Sequence, residues 1–155
     1  MLGSKSDFFH SDEDILIKTR NFMIYFLKMH KTKKGVINLY LEAYEYFILN
    51  PNEFDGATLS KDIKVIPNLD IWAMLHDYLY IKYNIAVNWK LKYYGDVIYA
   101  LEMERLGISY GTTWGRFILL VLSQIIFTPY QLLKGKRMDS EQKSGFMNII
   151  KKFKN

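Results

Sequence analysis

Residues 117–130 form the most apolar stretch of the chain. Such a stretch must be covered by the rest of the protein or by lipid, because contact between apolar surface and water is unfavourable. A membrane-spanning helix needs about 20 predominantly apolar residues, whereas this run has 14 and contains Ser123, Gln124 and Pro129. The sequence therefore favours a helix near 114–133 that is buried in the protein. A spanning helix and a helix at a membrane surface stay open.

The positive charge is concentrated at the C-terminus. The chain has 155 residues and a formal charge of +5, and its last 22 residues hold seven cations and two acids. A basic tail suits an anionic partner, such as phospholipid headgroups or nucleic acid, although it also fits a solvated end. The seven cations are Lys134, Lys136, Arg137, Lys143, Lys151, Lys152 and Lys154.

The composition excludes several classes of site. The chain has no cysteine, which rules out a disulfide scaffold, a thiolate metal centre and a cysteine nucleophile. Its first 14 residues are polar and acidic, so we expect no signal peptide and a cytosolic origin or assembly into a larger particle. No glycine-rich phosphate loop, zinc pattern or nucleic-acid motif is found, so nucleic acid is the less favoured partner.

Apolar residues recur at helical spacing over most of the chain, which predicts a mainly α fold. Residues 36–49 are rich in β-branched and aromatic side chains, yet the segment 39–46 also allows a helix, so a helix and a short β-hairpin near 36–66 both stay open. The first predicted helix starts near Ser11 or Asp12 and ends before Gly35, and the next runs from Asn68 or Asp70 to about Tyr83. Three more are predicted at 89–106 (ended by Gly107), 114–133 (ended by Gly135) and 139–153.

The residues around His76 carry the most chemical information. Residues three and four apart on a helix share a face, so His76 lies beside Tyr80. Asp96 falls among apolar neighbours on the next predicted helix, where a carboxylate needs a partner. If the two helices pack antiparallel, Asp96 can accept the imidazole N–H of His76 and favour the charged ring. Tyr80 and Tyr99 are placed to hydrogen-bond Asp96.

The order His76-Asp77-x-x-Tyr80, followed by Asp96, resembles the signature of phospholipase A2. The resemblance implies that His76 is the general base to a water, that Asp77 binds Ca²⁺ and that Asp96 orients His76. It also implies a calcium loop, for which residues 55–60 are the candidate. Within that loop the resemblance points to Gly56 as a metal-site residue and to Asp55 as a supporting one.

A closer resemblance is to a family of small phage proteins of uncharacterised function (the DUF1353 type). These proteins carry a loop, a Leu-His-Asp-Tyr-Leu-Tyr helix, and a second helix that begins with Asp and ends at Gly. The matching helices here are 75–80 and 96–107, and a second, poorer candidate for the loop is 62–67. The resemblance covers about residues 53–134. It implies a phospholipase A2-like antiparallel helix pair with additional packed helices.

The expected organisation is a single domain over 1–155. Its parts are an N-terminal helical extension at 1–52, the phospholipase A2-like core at 53–134 and the basic tail at 135–155. The chain departs from secreted phospholipases, because it lacks the disulfides that clamp their helix pair. Gly56 is also the only glycine of the candidate loop, whereas their calcium loop is glycine-rich.

Three hypotheses about function follow. The first is a virion or accessory protein of phage type, located in the virion or host cytoplasm, that binds or hydrolyses host-envelope phospholipid with Ca²⁺. The second is a non-enzymatic phage structural protein whose partners are other virion proteins and in which His76 and Asp96 belong to a buried polar network. The third is a peripheral membrane protein that uses the 114–133 helix and the basic tail. His10 and His30 are expected at the surface.

Overall fold

We describe residues 5–56, 66 and 69–154 of a computed structural model. The chain divides into two compact units, Met1–Asp77 and Tyr78–Asn155. The structure confirms the mainly α prediction. The α-helices of the described residues are α1 (Glu13–Met29), α2 (Lys34–Leu49), α3 (Ile71–Tyr83), α4 (Trp89–Arg105), α5 (Tyr110–Leu133) and α6 (Ser140–Lys154).

Helix α1 begins where the acidic residues predict. Asp12 is its N-cap, and Oδ1 of Asp12 accepts the backbone N–H of Asp14 at 2.8 Å. Glu13 and Asp14 lie in the first turn, where negative charge interacts favourably with the helix dipole. The helix ends at Met29, and Lys31 then turns the chain in the left-handed conformation (φ 54°).

Two predictions about the chain that follows are wrong. Gly35 does not end α1, because it lies in the first turn of α2. A hairpin cannot begin at Val36 either, because residues 34–49 are helical. The buried residues Val36, Tyr40 and Phe47 recur at helical spacing, and that periodicity outweighs the β-propensity of single residues. The rest of the proposed hairpin, at 57–65, lies outside the described residues.

Aromatic side chains form the core of the N-terminal unit. Phe9, Tyr44, Phe47 and Phe54 are buried, and their ring centroids lie 5.2–5.8 Å apart in four contacts. The hydroxyl of Tyr44 also donates to the carbonyl oxygen of Leu16 at 2.8 Å, which joins α2 to α1. Burial raises the pKa of Tyr44 to about 12, so this hydroxyl stays protonated and remains a donor.

Tight turns separate the helices of the C-terminal unit. Asn84 follows α3 in the left-handed conformation (φ 51°). Asn88 caps α4, and its side-chain oxygen accepts the backbone N–H of Leu91 at 3.1 Å. Gly107 follows α4 with φ 96° and Gly135 follows α5 with φ 76°. Because these positive angles suit glycine, both predicted helix ends are confirmed.

Helix α4 packs closely in the C-terminal unit. A Cβ added at Gly95 would lie 2.5 Å from Cδ1 of Ile85 and 3.8 Å from the ring of Phe146 on α6. Helix α6 is amphipathic, as predicted, and buries Phe146, Ile149 and Ile150. The small residue at position 95 therefore lets neighbouring elements approach α4.

Candidate functional site

His76 and Asp77 lie side by side on α3, at the end of the N-terminal unit. Both side chains are partly buried, and Nδ1 of His76 is 3.7 Å from Oδ1 of Asp77. The other carboxylate oxygen of Asp77 accepts the backbone N–H of Gly56 at 2.9 Å. The structure therefore brings the predicted loop glycine to the predicted metal ligand.

The carboxyl group of Asp77 is in an unusual environment. Burial raises the pKa of Asp77 above its ordinary value, and the hydrogen bond and charge of His76 and the N–H of Gly56 oppose this rise. The nearby Asp55 is exposed, and its negative charge raises the pKa of Asp77 further. Among the described residues, no group of three or more His, Asp or Glu side chains is arranged to hold a metal ion. The remaining loop residues, 57–60, lie outside the described residues, so Ca²⁺ at Asp77 stays a prediction.

Asp96 is fully buried in the C-terminal unit and has three identified partners. Tyr80 of α3 donates its hydroxyl to Oδ1 at 2.7 Å, in agreement with the prediction that Tyr80 hydrogen-bonds Asp96. Lys92 donates to Oδ2 at 2.9 Å, and Gln124 of α5 donates to the same oxygen at 3.0 Å. The sequence prediction did not include Lys92 or Gln124. The Lys92–Asp96 spacing of four residues on one helix is the signal that points to this pair.

The buried ion pair changes what Asp96 can do chemically. Burial lowers the pKa of Lys92, and the charge and hydrogen bond of Asp96 oppose that fall. An ammonium group beside the carboxylate offsets part of its negative charge, so Asp96 stabilises a charged imidazole less than an unpaired carboxylate would. His76 belongs to the other unit of the chain, and its pairing with Asp96 stays a prediction.

The remaining predicted site residue, Tyr99, is buried on α4. Its hydroxyl accepts a hydrogen bond from Nη1 of Arg116 on α5 at 2.9 Å. Lys92 also donates to the carbonyl oxygen of Leu120 at 3.1 Å. Polar contacts therefore join α4 to α5 at several levels.

Helix α5 has a buried face that is polar and an exposed face that is apolar. The buried residues are Thr113, Arg116, Gln124, Thr128 and Gln131. The exposed large hydrophobic residues are Tyr110, Ile118, Leu119, Leu122, Ile125, Ile126, Phe127, Tyr130 and Leu133. The prediction that the protein buries this apolar run is therefore wrong. By length and composition, α5 is also the one helix in the described part of the chain that is able to cross a membrane.

No protein-family model, curated protein or solved structure matches the chain. The resemblance to phospholipase A2 and to the phage family therefore rests on the motif residues at 53–134. The enzymatic activity, the virion partners and the location in a virion or host cytoplasm stay predictions.

Proposed function

We propose that the protein binds phospholipid membranes through the outward side of α5. The observation that carries this proposal is the reversed polarity of the helix: its polar side chains face the protein and its aliphatic ones face outward. We call this outward side the apolar face. It consists of Ile118, Leu119, Leu122, Ile125, Ile126 and Leu133.

Transfer of the apolar face from water into lipid lowers the free energy of the system. Full burial of an aliphatic side chain of this size contributes about 1.5–3 kcal/mol. Contiguous apolar patches on a protein surface mark sites of interaction with lipid or protein. Tyr110 and Tyr130, near the two ends of α5, are also exposed, and tyrosine is enriched where membrane meets water. These features support lipid as the partner.

The packing of α4 favours a helix that lies in the plane of the membrane surface. Trp114, near the start of α5, donates from Nε1 to Oε2 of Glu104 near the end of α4 at 3.3 Å. Lys92, near the start of α4, donates to the carbonyl oxygen of Leu120 further along α5 at 3.1 Å, so the two helices run antiparallel. A spanning α5 would draw the charged residues of α4 into hydrocarbon, where a charge at the bilayer centre costs about 2.5 kcal/mol or more. An in-plane helix buries its apolar side and leaves α4 outside the hydrocarbon.

Vesicle flotation tests the proposal. Ile126 is 78% exposed on α5, and Leu49 is 81% exposed on α2, so the two residues form a matched pair for substitution by Glu. We expect Ile126→Glu to weaken vesicle binding by on the order of 100-fold, because it removes an apolar contact and places a charge against lipid. Leu49→Glu should bind as the unchanged protein does. Equal binding by all three proteins would contradict the proposal.

Cysteine labelling distinguishes an in-plane helix from a spanning one. The chain has no cysteine, so Ser109→Cys and Ser144→Cys each introduce a single thiol. Both positions are exposed; Ser109 immediately precedes α5 and Ser144 follows it in the sequence. With the protein bound to preformed vesicles, an impermeant thiol reagent should label both variants. Protection of one thiol until the vesicles are opened would show a spanning helix.

Hydrolysis of a lipid ester is the second candidate function. The contact between Gly56 and Asp77 favours it, because this contact holds one residue of the predicted loop beside the His76–Asp77 pair. In this reaction His76 takes a proton from water as the water attacks the ester carbonyl; the acyl C–O bond then breaks, and His76 returns the proton to the oxygen of the departing alcohol. Asp77 and loop carbonyls would hold the Ca²⁺ that polarises this carbonyl.

A phospholipid-hydrolysis assay with and without Ca²⁺ tests this second candidate. His76→Ala should abolish turnover, and His10→Ala, at an exposed position, is the matched control. Loss of activity on removal of Ca²⁺ is also expected. No turnover by the unchanged protein, or turnover that survives His76→Ala, would exclude His76 as the base.

A further inference from the structure

Three exposed cations follow one another at the C-terminal end of α5. They are Lys134, Lys136 and Arg137, and we call them the basic end of α5. Within the described part of the chain, neither Lys134 nor Lys136 forms an ion pair with a carboxylate. The positive charge at this end is therefore directed to solvent or to a partner.

The basic end adjoins the apolar face. Nζ of Lys134 lies 4.4 Å from the ring centroid of Tyr130. Nη1 of Arg137 donates to the carbonyl oxygen of Leu132 at 3.1 Å, so this side chain is held against the last turn of the helix. Leu133, at the end of the apolar face, is the most exposed large hydrophobic residue of α5. An aliphatic surface and a cluster of cations thus meet at one place.

We propose that the basic end of α5 binds the anionic headgroups of phospholipids whose acyl chains contact the apolar face. This inference rests on the proposed membrane binding and names the class of lipid. Lys and Arg side chains near an anionic membrane surface are attracted to its negative charge. Their long side chains also reach the headgroups while their methylene groups stay against apolar surface.

The surroundings of these cations favour a lipid over a nucleic acid. Nucleic acid is bound by a groove of cations, often with aromatic rings on which bases stack. The basic end has one exposed ring beside it, that of Tyr130, and otherwise continues into aliphatic side chains, of which Leu133 is the nearest in sequence. Contact with a phosphate backbone would not stabilise these side chains, whereas their burial against acyl chains is favourable.

Helix α6 supplies a matched control. Lys151 and Lys152 are exposed in its last turn, so their substitution removes the same charge from a different element. The two variants to compare are Lys134→Gln/Lys136→Gln and Lys151→Gln/Lys152→Gln. Arg137 is left unchanged because its side chain donates to the end of α5.

The experiment measures binding to vesicles of phosphatidylcholine alone and to vesicles that also contain phosphatidylglycerol. We expect the unchanged protein to bind both and to prefer the anionic vesicles. Lys134→Gln/Lys136→Gln should lose on the order of tenfold in binding to anionic vesicles and keep its binding to neutral ones. Lys151→Gln/Lys152→Gln should lose less. Added salt should reduce the preference in the unchanged protein.

The outcomes separate this inference from the proposed function. Failure of the unchanged protein to bind either vesicle would overturn both. Binding to both vesicles with no anionic preference, or an equal loss in the two double variants, would overturn only the headgroup assignment. A separate measurement with duplex DNA completes the test. DNA binding that falls with Lys134→Gln/Lys136→Gln, without any anionic-lipid preference, would assign these cations to nucleic acid instead.

Discussion

The two units of the chain use apolar side chains in opposite ways. In the N-terminal unit, α2 buries the apolar and aromatic residues that recur along one face. In the C-terminal unit, α5 buries its polar residues and exposes its aliphatic ones. The comparison shows that a helix rich in apolar residues need not supply the core. The few polar residues decide which side faces the protein.

Truncation of a buried side chain on α2 should destabilise the protein far more than truncation of an exposed one on α5. Phe47 is fully buried on α2 and Leu122 is exposed on α5. Phe47→Ala should lower the free energy of unfolding by about 3–5 kcal/mol, because it leaves a cavity in the aromatic core. Leu122→Ala should change it by no more than about 0.5 kcal/mol. Urea denaturation checks both values, and a similar loss in the two variants would show that α5 also contributes its apolar side chains to the core.

Removal of Asp96 tests the polar interior of the C-terminal unit. Asp96→Ala leaves the Lys92 ammonium buried without its carboxylate, so we expect a loss of about 3 kcal/mol in the free energy of unfolding. The double variant Lys92→Met/Asp96→Leu removes both charges and should lose much less. Chemical denaturation of the single and double variants measures the difference. A double variant as unstable as Asp96→Ala would show that the ion pair is not the reason for the loss.

Substitution of one glycine in α4 and one in α5 tests how closely each helix is packed. A Cβ at Gly95 of α4 meets Ile85, so Gly95→Ala should cost about 1–3 kcal/mol of stability. A Cβ at Gly115 of α5 meets nothing within 4 Å. Gly115→Ala should therefore stabilise the protein, by up to about 1 kcal/mol, because alanine is the better helix former. Thermal unfolding of both variants gives the sign, and destabilisation by Gly115→Ala would show that this side of α5 is covered.

The buried carboxyl group of Asp77 in the N-terminal unit should make the stability of the protein depend on pH. Burial raises the pKa of Asp77 above 3.8, so the folded state holds this proton more tightly than the unfolded state. The resulting stabilisation is present below pH 3.8 and is lost as the pH rises through the folded-state pKa. The stability of the unchanged protein should therefore fall relative to Asp77→Asn over that interval. If the unchanged protein instead became more stable than Asp77→Asn as the pH rises, the pKa of Asp77 would be lowered and not raised.

Much of the fold could be predicted from the sequence because its signals are local. Asp12 caps α1, and Gly107 and Gly135 follow α4 and α5 as their sequence positions indicate. The sequence signals of α2 conflict with one another. Its β-branched and aromatic residues resemble those of a strand, and only the spacing of buried residues such as Tyr40 and Phe47 identifies α2.

The candidate site was predictable only where one helix or one motif determines it. The motif that contains Tyr80 and Asp96 indicates their hydrogen bond, whereas the hydrogen bond of Arg116 to Tyr99 depends on how α5 packs. The prediction that the apolar run is buried is wrong because the length and composition of the run do not distinguish the faces of a helix. The spacing of Gln124, Thr128 and the other buried polar residues reveals the protein-facing side.

The environment of a label at Ile126 tests membrane binding through α5 most directly. Ile126→Cys would carry an environment-sensitive fluorophore, and Leu49→Cys, similarly exposed on α2, is the control. On addition of phospholipid vesicles, we expect a blue-shifted emission at position 126 that quenchers attached to the acyl chains reduce. The label at position 49 should stay in water. A label at position 126 that also stays in water while the protein is bound to vesicles would show that α5 does not contact the lipid.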